Sequence, residues 1–193
     1  MDYPMFCYHG EQTLGGKGCT KIGVCGKSPE IAALQDLLIY QVKGISCYAK
    51  ELIEKGEKID KDIVSFVENS LFTTLTNVNF DGDVHENMLR KSQEIKQNLR
   101  SKVQANKVCC DQATYNLSNT RNQMLEDAKK AGIMYDQELD ADIRSLRQTI
   151  IYGLQGISAY GHQARELGYY NDKVDEFYFR ALAATTDDKL TVE

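Results

Sequence analysis

Three cysteines near the start of the chain have the residue type and spacing that best support chemistry. Cys7, Cys19 and Cys25 fall in a segment that also carries six glycines between positions 10 and 26. Thiolates bind iron strongly because they are soft, negatively charged donors. A glycine-rich backbone can wrap a cluster and direct N–H groups at its sulfurs. The pattern therefore predicts a metal site, either an iron–sulfur cluster or, with His9 as fourth ligand, a Cys₃His zinc site.

Composition sets the context in which these cysteines are interpreted. The chain has 193 residues, of which 42% are hydrophobic and 26% charged, as in a globular protein with a buried core. The net charge of -5 gives no reason to expect nucleic acid or an anionic membrane surface as a partner. No apolar run is long enough to span a bilayer, and the N-terminus lacks a signal-peptide pattern. We therefore expect a cytoplasmic protein, in which six cysteines indicate metal or redox chemistry more than disulfides.

The elements that must position the loop are helices. Ser28 can cap a helix that begins with Pro29, and apolar residues recur at helical spacing after it. No segment alternates as a strand does. The sequence predicts an all-α fold of two repeated three-helix-bundle-like units, the second incomplete, with an irregular N-terminal cysteine loop. The predicted helices span about 31–55, 60–76, 84–107, 111–131, 140–167 and 172–186, and the predicted divisions are 1–28, 29–131 and 132–193.

An internal repeat supports the two-unit interpretation. IYQVKGISCY at 39–48 recurs as IYGLQGISAY at 151–160, and matches continue at an offset of 112 and then, after a one-residue slip, of 111. A helix–turn–helix repeated in register indicates two copies of one helical unit. The third helix of the first copy has no counterpart in the second copy, which predicts an exposed apolar groove. Another chain, as in a homodimer, or a rearranged helix of this one is expected to cover it.

The segment from residue 6 to 46 carries a specific resemblance. It reads FCYHGEQTLGGKGCTKIGVCGKSPEIAALQDLLIYQVKGIS. It resembles the opening of the hybrid cluster protein (hydroxylamine reductase, prismane) family, which typically reads FCYQCEQT, a glycine-rich stretch, GC, GVCGK, PE and LQDLLIY followed by KGIS. Further strings match at 77–81, 142–148, 151–164 and 181–188, so the resemblance covers nearly the whole chain.

The resemblance implies a cofactor and a ligand set. In that family a C-x2-C-x8-C-x5-C pattern holds a cubane iron–sulfur cluster, and Cys7, Cys19 and Cys25 match three of its four cysteines. The second position falls on Gly10, which has no thiol, and His9 takes the usual glutamine place. Three outcomes stay open: a [4Fe-4S] cluster with an open site that water or His9 fills, a [3Fe-4S] cluster, or no cluster, with zinc or a disordered loop instead.

The resemblance also implies a function and its limits. The family's catalytic hybrid cluster is held by residues far downstream, beyond the end of this sequence. We therefore expect an iron–sulfur electron-transfer domain that needs a redox partner protein or the missing C-terminal domains, and that cannot run the reductase reaction alone. The alternative is a cluster-free helical module for dimerisation or scaffolding.

The other cysteines and histidines are interpreted as structural. Cys47 aligns with Ala159 in the repeat, which predicts a small core residue. Cys109 and Cys110 are interpreted as semi-buried thiols at a helix junction in preference to a redox-active or metal-binding pair. His85 is expected at a helix start, and His162 is expected to face solvent.

Overall fold

The structure, a computed structural model, describes residues 5–104, 107–108, 110–135 and 139–192. Over these residues the protein is helical, as predicted, and the one β feature in them is an isolated bridge between Cys7 and Cys19. A 3₁₀ turn at Leu14–Gly16 precedes the helices. These are α1 (Pro29–Glu54), α2 (Lys61–Thr73), α3 (Gly82–Lys102), α4 (Asp111–Thr114), α5 (Arg121–Ala128), α6 (Ala141–Glu166) and α7 (Asp172–Ala184).

The repeated helices begin and end with the same local devices. Ser28 Oγ accepts a hydrogen bond from the backbone N–H of Ile31 at the start of α1, and Asp140 caps α6 in the same way. After each long helix the chain turns at a glycine with positive φ, 82° at Gly56 and 84° at Gly168. Glycine adopts this left-handed conformation without a Cβ penalty, which is why both helices stop there.

The two copies match in length and interlock in space. The helices α1 and α6 have 26 residues each, and α2 and α7 have 13 each. Packing runs crosswise, because α1 lies against α7 while α2 lies against α6. Both copies therefore contribute to one core, in which Ile45 and Val67 pack with Ile151 and Leu182. The all-α prediction is confirmed, and the predicted divisions along the chain stay a prediction.

The central helix of this arrangement is α1. It is covered by α3, α4, α5 and α7, and 20 of its 26 residues are buried, whereas only four residues of α6 are. No helix in the described part of the chain is long and apolar enough to cross a bilayer.

The predicted helix at 111–131 is wrong in its middle, where the chain opens between α4 and α5. Residues 116–120 read NLSNT, and all but Leu117 have short polar side chains, which bond local backbone in ways that compete with a helix. Tertiary bonds then hold the break open: Lys96 Nζ donates to the carbonyl oxygens of Gln112 and Tyr115, at 3.2 and 2.5 Å. Thr120 caps the new helix by accepting from the N–H of Gln123.

Candidate metal centre

The first two cysteines of the loop are held next to each other by backbone pairing. The N–H of Cys7 donates to the carbonyl of Cys19 at 3.0 Å, and the N–H of Cys19 donates back at 2.7 Å. Residues that exchange both hydrogen bonds across an antiparallel pair place their side chains on the same face. Both cysteines are buried and pack with Met5 and with Ala32 of α1. The bridge therefore fixes two of the predicted donors against the start of the central helix.

The third cysteine reaches the same place through a tight turn. The N–H of Gly26 donates to the carbonyl of Gly23 at 2.8 Å, and the N–H of Gly23 donates to Lys27 at 2.8 Å. A Cβ on Gly23 would lie 3.0 Å from Cys25 Sγ and 3.1 Å from Lys27 Cβ. Glycine at this position therefore leaves room for the Cys25 side chain to turn inward. Cys25 is half-buried, in contrast to the other two.

A buried lysine supplies positive charge beside the thiols. Lys27 is 1% exposed, and its Nζ donates to the carbonyl of Thr74 at 3.2 Å and lies 3.9 Å from Cys7 Sγ. Thr74 also accepts from Gln155 Nε2 at 2.7 Å through its hydroxyl. The ammonium group is thus anchored by the end of α2, which α6 supports in turn. Its charge favours the thiolate over the thiol at Cys7.

His9 offers a free donor at the same site. It is buried, and its Nδ1 has no hydrogen-bond partner among the described residues. Burial, with the nearby charge of Lys27, lowers the pKa of His9 to about 4. The ring is therefore neutral near pH 7 and keeps a lone pair. A buried polar atom without a partner needs a physical explanation, and a ligand is one such explanation.

Cys7 and Cys25 differ in the pKa of their thiols. Burial raises the pKa of Cys7, and the charge of Lys27 offsets only part of that rise. Burial also acts to raise the pKa of Cys25, but a hydrogen bond with the Thr76 side chain and one from the Lys27 backbone lower it below its ordinary value. Cys25 is therefore the first of these two to become a thiolate, the form that binds metal.

The donors fit an iron–sulfur cluster in type, although the space between them is small. Cys7, His9, Cys19 and Cys25 line one cavity of about 20 Å³, close to the volume that one water needs. In the described ranges no three His, Cys, Asp or Glu side chains converge as the ligands of a single ion do. The ligands of a cubane cluster do not converge on one ion, because each iron binds its own thiolate. The loop therefore brings together donors of the right type around a cavity that is only as large as a water molecule.

Gly10, the position without a thiol, lines the same cavity. A Cβ there would meet the Gln12 carbonyl at 3.5 Å and Thr76 Oγ1 at 3.8 Å, both ordinary van der Waals distances. Its φ is not in the left-handed region, so the backbone accepts a side chain. A side chain at position 10 would therefore fit beside Gln12 and Thr76 without a clash.

Comparison with known proteins decides which family this site belongs to. The family model described as Prismane/CO dehydrogenase family matches residues 5–193. The chain belongs to the Prismane/CO dehydrogenase family. As a prismane family member it resembles the hydroxylamine reductases of Desulfovibrio desulfuricans, at 41% identity over 192 residues, and of Syntrophobacter fumaroxidans, at 43% over 185. These alignments cover 100% and 94% of this chain.

The match covers only part of the relatives. The chain spans 35% of the Desulfovibrio protein and 34% of both the Syntrophobacter protein and the hydroxylamine reductase of Acetivibrio thermocellus, which is 42% identical. This prismane family chain thus corresponds to about one third of the curated relatives it matches. Their name, hydroxylamine reductase, describes the longer proteins.

Sequence reasoning missed several features of this prismane family chain. Lys27 was not singled out, although a lysine two residues after Cys25 in a glycine turn is a signal that could have pointed to it. Cys47 is buried as expected, but its Sγ lies 3.0 Å from Cys110 Sγ, a contact that no spacing revealed. Cys109 lies outside the described residues. His85 is in the first turn of α3 as expected, and His162 is partly buried and stacks on Phe72 with ring centroids 4.8 Å apart.

Proposed function

We propose that this chain is the iron–sulfur electron-transfer part of a hydroxylamine-reductase-like protein. One observation carries the proposal: Cys7, Cys19 and Cys25 line a single cavity together with the unpartnered Nδ1 of buried His9. Membership of the prismane family and the identity to hydroxylamine reductases support it. The chain's own residues supply the ligands, while the reductase reaction belongs to the full-length assembly or to a partner protein in the cytoplasm.

Each residue of the site has a proposed role. The three thiolates hold three corners of the cluster, and His9 or solvent takes the corner at Gly10. The ammonium of Lys27, 3.9 Å from Cys7 Sγ, offsets negative charge that the ligands bring into a buried place. A bound cluster supplies one-electron transfer, with a potential set by charge, hydrogen bonds and exposure.

Anaerobic reconstitution with iron and sulfide tests the proposal. The protein as it exists is loaded, separated from free iron, and analysed for iron, acid-labile sulfide, visible absorbance and electron paramagnetic resonance. We expect a brown protein whose visible absorbance falls when dithionite is added, because reduction of the cluster weakens its sulfur-to-iron charge-transfer bands. The variant with Cys7, Cys19 and Cys25 all changed to serine is expected to stay colourless.

The matched control is Cys47→Ala, which removes a buried thiol outside the loop and places there the residue that the repeat has at Ala159. This variant is expected to load as much iron as the wild type. Equal loading of the triple serine variant would show that the loop thiols do not hold the iron. A colourless wild type that keeps its helical circular dichroism would overturn the proposal.

A second candidate function rests on a different surface. Leu146, Tyr152, Ile157 and Tyr160 of α6 are exposed apolar or aromatic residues, and Tyr160 is 80% exposed. We propose, as the alternative, a cluster-free helical module for dimerisation or scaffolding that uses these exposed residues of α6. Light scattering tests it: self-association that is lost in Ile157→Ser/Tyr160→Ser supports the module, and a monomer at all concentrations in the wild type contradicts it.

A further inference from the structure

Two cysteines far from the loop lie side by side. Cys47 belongs to α1, Cys110 directly precedes α4, and their Sγ atoms are 3.0 Å apart although 63 positions separate them in sequence. Both are free thiols. A disulfide has an S–S distance of about 2.05 Å, so a relative shift of about 1 Å would bring these atoms to bonding distance. Thr186 Oγ1 lies 3.2 Å from Cys47 Sγ and completes the contact.

One of the two thiols lines a cavity, and the other is buried in the core. Cys47 is buried in the core, whereas Cys110 lines a cavity of about 260 Å³ bounded by residues of α1, α4 and α6, by the chain after α5 and by the chain after α7. A small disulfide can therefore reach Cys110 first. Among the described residues that line this cavity, basic side chains outnumber acidic ones, which favours an anionic molecule. The basic ones are Lys43, Lys130, Arg144 and Arg147, and the acidic ones are Asp111 and Asp188, the second of which pairs with Arg147 at 2.9 Å.

The two thiols also differ in pKa. The hydrogen bond with Cys47 lowers the pKa of Cys110, and the N–H of Ala113 and the Thr186 hydroxyl add to this against the opposing effect of burial. The same Cys110 contact, together with burial, raises the pKa of Cys47. The more accessible thiol is thus the one that ionises first, as an attacking thiolate must.

We propose that Cys47 and Cys110 are a redox-active dithiol that closes reversibly to a disulfide when an anionic low-molecular-weight disulfide enters the cavity. The Cys110 thiolate attacks one sulfur of that disulfide, its S–S bond breaks, and one small thiol leaves with the proton that Cys110 gave up. Cys47 then loses its proton and attacks Cys110 Sγ, and the second small thiol leaves. The protein loses two electrons, and the small disulfide gains them.

This dithiol goes beyond the proposed function and does not require a cluster. Peptide mapping after treatment with glutathione disulfide, an anionic probe, tests it. Trypsin releases Cys47 in peptide 44–50 and Cys110, with Cys109, in peptide 108–121. We expect these two peptides to become cross-linked in the wild type and in Cys109→Ser, and dithiothreitol to separate them.

Two further variants assign the roles. Cys47→Ala, which copies the repeat position Ala159, is expected to stop at a stable glutathione adduct on Cys110, while Cys110→Ser forms no cross-link between the peptides. Circular dichroism checks that both variants fold. A cross-link that is lost in Cys109→Ser, or an adduct that never resolves in the wild type, would overturn the proposal. Equally fast oxidation by cystamine, a cationic disulfide, would contradict the proposal that the oxidant is anionic.

Discussion

The two copies of the repeated helix pair share a backbone plan and differ in what covers them. Gly44 of α1 lies so close to α4 that a Cβ there would be 2.2 Å from the Gln112 carbonyl oxygen, whereas its counterpart Gly156 has open space. Tyr48 is buried and donates to the carbonyl of Ala113, whereas Tyr160 is exposed. The same sequence motif is therefore covered on nearly every side in one copy and exposed along one side in the other.

The crosswise contacts show a second difference between the copies. Where α1 and α2 meet α7, Ile53, Val64 and Phe179 form part of the apolar core. In the repeat, Ile53 corresponds to Arg165 at an offset of 112. Val64 corresponds to Asp175, and Phe179 corresponds to Glu68, both at an offset of 111. Arg165 donates to Glu68 Oε1 at 3.0 Å and to Asp175 Oδ1 at 2.7 Å. The fold thus accepts an apolar trio at one end and a charged trio at the other.

Arg165→Ile should give the largest effect, because it leaves two buried carboxylates without their cation. Glu68 is 1% exposed and Asp175 7%. We expect a loss of about 3–5 kcal/mol in the free energy of unfolding, measured by urea denaturation. Adding Glu68→Phe and Asp175→Val, which completes the apolar trio of the other copy, should restore most of it. A triple variant less stable than Arg165→Ile would contradict the equivalence of the two ends.

Leu34→Ala and Leu146→Ala compare the same repeat position in the two copies. Leu34 is fully buried in α1, so its truncation should leave a cavity and cost about 2–5 kcal/mol. Leu146 is 45% exposed in α6, and its truncation should change stability by less than about 0.5 kcal/mol. Chemical denaturation of both variants measures the difference, and equal losses would show that α6 is covered in solution.

Gly44→Ala and Gly156→Ala should move stability in opposite directions. At Gly44 the new methyl group would force α1 and α4 apart, with an expected loss of about 1–3 kcal/mol. At Gly156 it meets nothing and favours the helix, with an expected gain of about 0.5–1 kcal/mol. Thermal unfolding followed by circular dichroism gives the sign of each. A loss at Gly156 would indicate a close neighbour on that face.

Asp36, whose counterpart is the uncharged Gln148, should give the smallest effect and one that depends on pH. Burial raises the pKa of Asp36 to about 7, and the charges of Lys27 and Lys43 offset only part of that rise. An unfolded chain releases this proton near pH 4. Between those values the folded state binds more protons, so this group makes stability fall as pH rises, and its cost is complete above pH 7.

Asp36→Asn therefore should raise the free energy of unfolding at pH 8 by roughly 1–2 kcal/mol and have almost no effect at pH 4. The gain is small because a buried site in a protein screens charge more than a dry apolar medium does. Urea denaturation at both pH values checks this. A larger gain in stability at pH 4 than at pH 8 would contradict this prediction.

Much of the fold could be predicted from local signals, while tertiary features could not. Capping by Ser28, Pro29 in the first turn and the period of apolar residues predict α1 within two residues. The break after Thr114 depends on Lys96 reaching two carbonyls from another helix, which no local pattern contains. The crosswise packing of the copies is likewise a property of long-range contacts.

The sequence likewise predicts part of the candidate site and not the rest. Residue type and spacing pointed to Cys7, Cys19, Cys25 and His9, and all four line one cavity. Lys27 is held at this cavity by a hydrogen bond to the carbonyl of Thr74, 47 positions away at the end of α2. Cys110 contacts Cys47 across 63 positions. Contacts across such separations depend on helix packing, which the repeat alone does not specify.

The iron content of Gly10→Cys after anaerobic loading tests the central claim most directly. A thiol fits at this position without backbone strain, beside Cys7, Cys19 and Cys25. We predict that the variant keeps a four-iron cluster in air, while the wild type, loaded in the same way, loses its least protected iron and gives the spectrum of a three-iron cluster. If the variant and the wild type both bind no more iron than the triple serine variant, the loop does not hold a cluster.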